Sequence, residues 1–207
     1  MLKQVLNATF RHYQGAGVRY PVPHMPVLIS LLRGVNVGGH HKVKMDELRA
    51  LYESLGFEDV QTYINSGNVV FRTAGRDLVR LRKRIEDAIE RACGFRPNVI
   101  LRTPSDLEGV IARNPFAARP GMDPGKLAIH FLAADPSAAA REQVLAIDAA
   151  PEELHVAGRE LYIYYPNGMG RPKLSLPLVE RTLRTSGTSR NWNTVRKLLE
   201  MAEKLES

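Results

Sequence analysis

Val60-Gln61-Thr62-Tyr63-Ile64-Asn65-Ser66-Gly67-Asn68-Val69-Val70-Phe71-Arg72 reads as two short strands, Val60 to Ile64 and Asn68 to Arg72, around an Asn65-Ser66-Gly67 turn. β-branched and aromatic residues flank the residue types that hairpin turns need. What lies on either side decides how this hairpin is used. Upstream, Pro26 to Leu32 is almost wholly apolar and predicts a strand. Met45, Leu48, Leu51, Tyr52 and Leu55 then recur at helical spacing, with Asp46 and Glu47 in the first turn and Gly56 at the end. Downstream, Arg76 to Cys93 predicts a second helix that buries Leu78, Leu81, Ile85, Ala88, Ile89 and Ala92 and is stopped by Gly94, and Pro97 to Arg102 predicts a closing strand. The order is βαββαβ. A ferredoxin-like plait, an antiparallel sheet with two helices on one face, is the simplest compact solution.

A second round follows. Thr103-Pro104-Ser105-Asp106 starts a short helix, with Thr103 as cap and Pro104 in the first helical position, and Asn114-Pro115 ends it. Ala117 to Gly125, holding Pro120, Gly121, Pro124 and Gly125, reads as a linker. Lys126 to Ala133 then predicts a strand, Ser137 to Ile147 a helix, and Glu153 to Val156 with Glu160 to Tyr165 a hairpin turning at Ala157-Gly158. Leu176 to Arg184 predicts a helix and Thr185 to Arg190 a closing strand, before a last helix from Asn193 that buries Val195, Leu198, Leu199, Ala202 and Leu205. The expected class is α+β, with two tandem ferredoxin-like plaits at residues 25–103 and 126–207, a helix and linker at 104–125, and an extra C-terminal helix. No residue-level repeat is visible between the halves.

The 207 residues are 44% hydrophobic and 25% charged, which is the make-up of a globular protein rather than a disordered one. Basic residues outnumber acidic ones 29 to 22, for a formal charge of +7. That balance favours an anionic partner without choosing among nucleic acid, nucleotide and acidic metabolite. Lys3, Arg11 and Arg19 face no acid within residues 1–24, so this segment inflates the figure. Its polar character after Phe10 lacks a secretory pattern, and Met25 just before the first strong strand suggests an extra N-terminal segment, disordered or beginning from a mis-assigned start. Cys93 is the only cysteine and is expected to be a small packed side chain. No stretch reaches the length of a membrane span. The expectation is a cytoplasmic protein that binds no metal and no cofactor.

Arg33-Gly34-Val35-Asn36-Val37-Gly38-Gly39-His40-His41-Lys42 joins the first strand to the first helix. It lacks the Gly-x-Gly-x-x-Gly and Gly-Lys-Ser/Thr phosphate motifs. One reading is an anion cradle, with Arg33 and Lys42 as charges, Asn36 as a neutral donor, and Gly38 and Gly39 permitting close backbone approach. The other is a sharp crossover whose glycines supply positive φ and whose Asn36 caps its own turn. Asn65, Ser66 and Asn68 serve a hairpin turn or offer ligand donors. Arg190-Asn191-Trp192-Asn193 opens the last helix, where Asn191 and Asn193 suit a cap, Arg190 adds charge, and Trp192 is either a stacking face or packing. Lys173 in the loop Asn167 to Lys173 adds a point charge for a phosphate. The cations of the Arg76 to Cys93 helix are interleaved with Glu86, Asp87 and Glu90 and read as a solvated, ion-paired face.

Leu31 to Gly39, Tyr63 to Phe71 and Arg190 to Val195, in that order and spacing, resemble the bacterial family called domain of unknown function 1697. The resemblance covers Met25 to about Leu205 and implies two ferredoxin-like plaits and no established activity. Lys44 stands before Met45 where the family often has proline. Three functions stay open at this point. The first is binding of an anionic, phosphate-bearing ligand such as a nucleotide or nucleic acid, without covalent catalysis. The second is an enzyme that positions a phosphorylated or carboxylated small molecule through Arg33, Lys173 or Arg190. The third is a structural or interaction protein whose polar motifs fasten the two halves.

Overall fold

The computed structural model describes residues 25–38 and 41–207, so the readings for residues 1–24, Gly39 and His40 lie outside the described residues. Eight strands and six α-helices alternate among these residues as β1 (Val27–Leu32), α1 (Met45–Ser54), β2 (Glu58–Tyr63), β3 (Asn68–Arg72), α2 (Leu78–Cys93), β4 (Val99–Arg102), α3 (Pro104–Ala112), β5 (Leu127–Leu132), α4 (Ala138–Leu145), β6 (Glu153–Ala157), β7 (Glu160–Tyr164), α5 (Leu176–Leu183), β8 (Gly187–Asn191) and α6 (Trp192–Glu206). They form two four-stranded sheets ordered β2-β3-β1-β4 and β6-β7-β5-β8, with antiparallel pairing throughout. Each sheet with its own helices is consistent with a ferredoxin-like unit. Local chemistry accounts for the boundaries. Asp77, Ser137 and Ser175 cap α2, α4 and α5, and Thr103 with Asp106 forms a reciprocal capping box at α3.

Helices α1 and α2 cover one face of the first sheet, packing Leu48, Tyr52, Leu81, Ile85 and Ile89 against Leu28, Leu32, Val69, Phe71 and Leu101. Helices α4 and α5 do the same for the second sheet, with Val144, Val179 and Leu183 against Ala128, Leu132, Leu161 and Ile163. The expectation of helices on one face describes these pairs, but the other faces are buried too. Val27, Ile29, Leu31 and Val70 of one sheet and Leu127, Ile129, Phe131, Tyr162 and Tyr164 of the other share a single core with α3 and α6. Helix α6 touches β1 and β3 as well as β5 and β8. This is why β1, reading Val-Leu-Ile-Ser-Leu-Leu, is apolar without alternation and buried at every position. Cys93 departs from expectation: it is exposed, as are its neighbours Arg91 and Ala92, so the last turn of α2 adds nothing to the core.

The two units repeat each other in their hydrogen bonds. Leu32 N donates to Gly67 O and Leu132 N to Arg159 O, both at 2.9 Å, and Arg33 N donates to Asn98 O as Ala133 N does to Ser186 O, again at 2.9 Å. Glu86 Oε1 accepts from Val99 N at 3.1 Å, and Glu180 Oε1 accepts from Gly187 N at 3.0 Å. Asn98 and Ser186, which are equivalent in this scheme, meet each other through a 2.8 Å bond from Asn98 Nδ2 to Ser186 Oγ. Contact between equivalent residues marks an isologous, two-fold-like junction within one chain.

Two buried arginines cross that junction in opposite directions. Arg102 of β4 donates from Nη2 to Leu132 O at 2.9 Å and from Nε to Glu160 Oε1 at 3.1 Å. Arg190 of β8 donates from Nη2 to Leu32 O at 2.8 Å and from Nε to Asn68 Oδ1. Asn68 and Glu160 are the first residues of the equivalent strands β3 and β7. Burial pushes the Arg102 guanidinium down and the Glu160 carboxyl up, and this outweighs their mutual attraction.

Candidate functional site

The loop after β1 is held by one side chain. Asn36, at φ 57°, donates from Nδ2 to Val43 O and to Asn65 O at 2.9 Å each and accepts from Val43 N at 2.9 Å. It therefore closes its own loop and ties it to the β2–β3 turn. His41 extends the closure by stacking on Phe95 at 4.3 Å between ring centroids. In the turn, Asn68 is fully buried and donates to Tyr63 O at 3.1 Å and to Ser66 Oγ at 2.9 Å. Gly67, at φ 68°, sits where a Cβ would come within 2.8 Å of Leu32 Cβ, so the turn packs directly on the end of β1.

Arg190 joins this group and uses every N–H it has. Besides Asn68 and Leu32, it donates from Nη1 to Thr188 Oγ1 and Ser189 O, each at 2.8 Å, and from Nη2 to Ser66 O at 3.0 Å. A guanidinium carries five N–H groups, and all five are accepted inside the protein. No carboxylate is among the partners. Burial alone pushes its pKa down to about 10, so the group stays charged at neutral pH.

Arg33, Ser66 and Arg190 line one cleft of about 380 Å³ along β8, together with His130, Glu180 and Ser189. The side chain of Arg33 is 41% exposed, and its Nη1 lies 2.8 Å from Glu180 Oε1. His130 and Ser189 face each other across β5 and β8, with His130 Nδ1 and Ser189 Oγ 2.8 Å apart. His130 Nε2 is 3.3 Å from Glu180 Oε1, within ion-pair reach but off a direct hydrogen-bond line. Burial raises the Glu180 carboxyl, but His130, the Gly187 N–H and Arg33 more than offset it and hold Glu180 below the usual carboxylate range. A Cβ on Gly187 would lie 2.3 Å from His130 Nε2, so the glycine makes room for the imidazole.

The remaining expected residues lie elsewhere. Lys42 and Asn65 border a wide depression beside the start of α1, where Lys44, Asp46 and Glu47 mix both charge signs. Gly38 takes φ 60° in the loop. Lys173 pairs with Asp148 at 3.1 Å and does not line the cleft. Asn191 caps α6 by accepting from Asn193 N at 2.9 Å and donates to Gly125 O at 2.9 Å, while Trp192 is packed into the shared core. Among the described residues no group of His, Cys, Asp and Glu has the make-up of a metal site, and no helix is long and apolar enough to cross a membrane.

The family described as protein of unknown function, DUF1697, matches residues 25–162. The chain belongs to this family. The DUF1697 match takes in the Arg33 loop, the Asn65 turn and His130 and stops before Glu180, Ser189 and Arg190. No curated protein matches the chain. A conserved bacterial protein from Streptococcus pneumoniae, SP0830, has a similar structure, with 25% identity and a TM-score of 0.62 over 86% of this chain and 99% of that one.

His130, Glu180, Gly187 and Ser189 were not singled out by sequence reasoning as one group. A signal was present in β5, whose Leu-Ala-Ile-His-Phe-Leu carries one ionisable side chain in a strand otherwise apolar and buried throughout. A histidine there needs a partner from another element.

Proposed function

We propose that this protein binds a small phosphate- or carboxylate-bearing molecule in the cleft along β8, with Arg33 as the contacting cation. One observation carries the reading. The two-fold-like junction creates two comparable clefts, and the other, of about 140 Å³, has Ala133 and Leu101 where this one has Arg33 and Ser189. The other cleft is lined by arginines too, Arg82, Arg102 and Arg159, but its buried guanidinium, Arg102, is paired with Glu160, whereas the buried guanidinium of Arg190 beside this one is neutralised by no carboxylate. A volume of this size suits a small molecule. A nucleic-acid face on α2 has less support, because Lys83 pairs with Asp87 and Arg96 pairs with Glu86, Asp87 and Glu90.

Thermal denaturation with inorganic phosphate, nucleoside monophosphates and sugar phosphates tests this. The reading expects a rise in Tm that weakens with added salt and is lost in Arg33→Ala. No shift with any of these compounds would reject it.

A second reading, that the family's polar segments are fasteners, is favoured by the internal saturation of Arg190. The two are compatible: Arg190, Asn68 and Asn36 fasten, while Arg33, His130 and Ser189 face the cleft. The strand orders support reading each unit as a ferredoxin-like plait, with boundaries near residues 103 and 126.

A further inference from the structure

We propose that Ser189 is a nucleophile, activated by His130 and Glu180, and that the cleft hydrolyses esters bearing an anionic group; the preference for anions rests on the reading above, whereas the nucleophile does not. The geometry has the parts such chemistry needs: a hydroxyl within hydrogen-bond reach of an imidazole, and a carboxylate beyond the imidazole to orient it. Ser189 Oγ and His130 Nδ1 are 2.8 Å apart, and Glu180 Oε1 is 3.3 Å from Nε2. With the ring proton on Nε2 facing Glu180, Nδ1 is the acceptor for the serine hydroxyl, which is the tautomer a general base requires. Long catalytic hydrogen bonds are common before substrate binds, so the oblique Nε2 contact is compatible with the role.

The other half of the molecule supplies an internal comparison. Ser30 occupies the place of His130 and bonds Tyr52 Oη at 2.8 Å, and Leu101 occupies the place of Ser189. Val99 stands where Gly187 opens space for the imidazole. Glu86, the counterpart of Glu180, pairs with Arg96. Histidine, serine and the glycine that admits the histidine are therefore found together on one side and are all replaced on the other. The glycine makes room for the imidazole and the serine satisfies its Nδ1, but burial of the histidine does not require that the serine be part-exposed and line a cleft.

The reaction balances with water as the second reactant. Ser189 Oγ bonds the acyl carbon as its proton passes to His130 Nδ1, and the ester C–O bond breaks as the imidazolium returns that proton to the leaving alcohol. Water then attacks the acyl-serine with its proton going to Nδ1, and the acyl–Oγ bond breaks as Oγ takes the proton back, releasing a carboxylic acid. Charge on the acyl oxygen develops in a cleft that the part-exposed Arg33 lines, while Arg190, whose N–H groups are all taken inside the protein, adds only its nearby positive charge.

Diisopropyl fluorophosphate, which is neutral, tests the nucleophile without relying on anion binding. The full chain should gain one adduct by intact mass, mapping to the Ser189 peptide, absent in Ser189→Ala, and formed about a hundredfold more slowly in His130→Gln. Circular dichroism melts of both variants check that they are folded. Absence of the adduct on the folded wild type, or an equal rate in folded His130→Gln, overturns the proposal. 4-Nitrophenyl hydrogen glutarate should then be cleaved faster than 4-nitrophenyl acetate, and Arg33→Ala should remove that preference. Labelling at Ser189 with no such preference retains the nucleophile and overturns the anionic specificity; Ser189→Ala cleaving the glutarate ester as fast as wild type overturns the hydrolase.

Discussion

Arg102 and Arg190 make matching contacts in opposite directions across the junction between the two sheets, each sending Nη2 to the last carbonyl of the other unit's first strand. Each also sends Nε to the first residue of the partner hairpin's second strand, Glu160 for Arg102 and Asn68 for Arg190. The pair explains why the junction is specific in register. Apolar packing around α3 and α6 tolerates sliding, whereas a buried guanidinium displaced from its carbonyls does not.

Arg102→Met should cost about 3–5 kcal/mol in urea unfolding, because it strands the Glu160 carboxylate in the interior. Arg102→Met combined with Glu160→Leu should recover most of that loss, since an apolar pair in place of a buried ion pair is often neutral. A double variant no better than the single one would mean that Glu160 is held chiefly by Arg113, 3.6 Å away.

Arg190→Lys should destabilise by at least about 2 kcal/mol despite keeping the charge. Lysine has three donors on a point charge, and the site presents acceptors on a planar fork. Equal stability by urea unfolding would show that charge, not geometry, is what the site needs.

Gly187→Ala should cost about 1–3 kcal/mol through collision with His130. His130→Ser, which copies Ser30 of the other unit, should remove the part of that cost that comes from the imidazole. A double-mutant cycle measures the coupling, and a value near zero would show that the backbone near Phe131 O, 2.6 Å from the added Cβ, dominates instead.

Glu180 is held below its ordinary value in the folded state, so its contribution to stability is present above the unfolded carboxylate range near about 4.3 and is lost as pH falls through the folded value. Glu180→Gln should therefore be less stable than wild type at pH 6 and lose less on acidification. Tm measured from pH 7 to pH 3 checks this; parallel curves would remove Glu180 from the acid response.

Much of the fold was legible because its signals are local. Thr103 and Pro104 announce α3, Asn65-Ser66-Gly67 announces the hairpin, and the apolar spacing of Leu81, Ile85 and Ile89 announces α2. The repeated element order was legible too, but the residue-by-residue correspondence between the two units was not. Its marks are backbone hydrogen bonds and the two arginines, and equivalent positions carry different side chains, as with Ser30 and His130. The site divided in the same way. Arg33, Asn65, Ser66, Asn68 and Arg190 stood out as donor-rich segments; Arg33, Ser66 and Arg190 line one cleft and Asn65 borders another depression, yet Asn36, Asn68 and Arg190 use their donors on the protein itself. Ser189 and Glu180 look ordinary in sequence, and only the pairing of β8 with β5 and the packing of α5 bring them to His130.

A ¹H–¹⁵N NMR titration with inorganic phosphate tests within one molecule the proposal that the two equivalent clefts bind an anion unequally. Saturable shifts are predicted at the amides of Arg33 to Val37, Ser66 and Gly187 to Arg190, with none at Leu101, Ala133 and Arg159 in the other cleft. Equal shifts in both clefts, or no saturable shift in either, would contradict it.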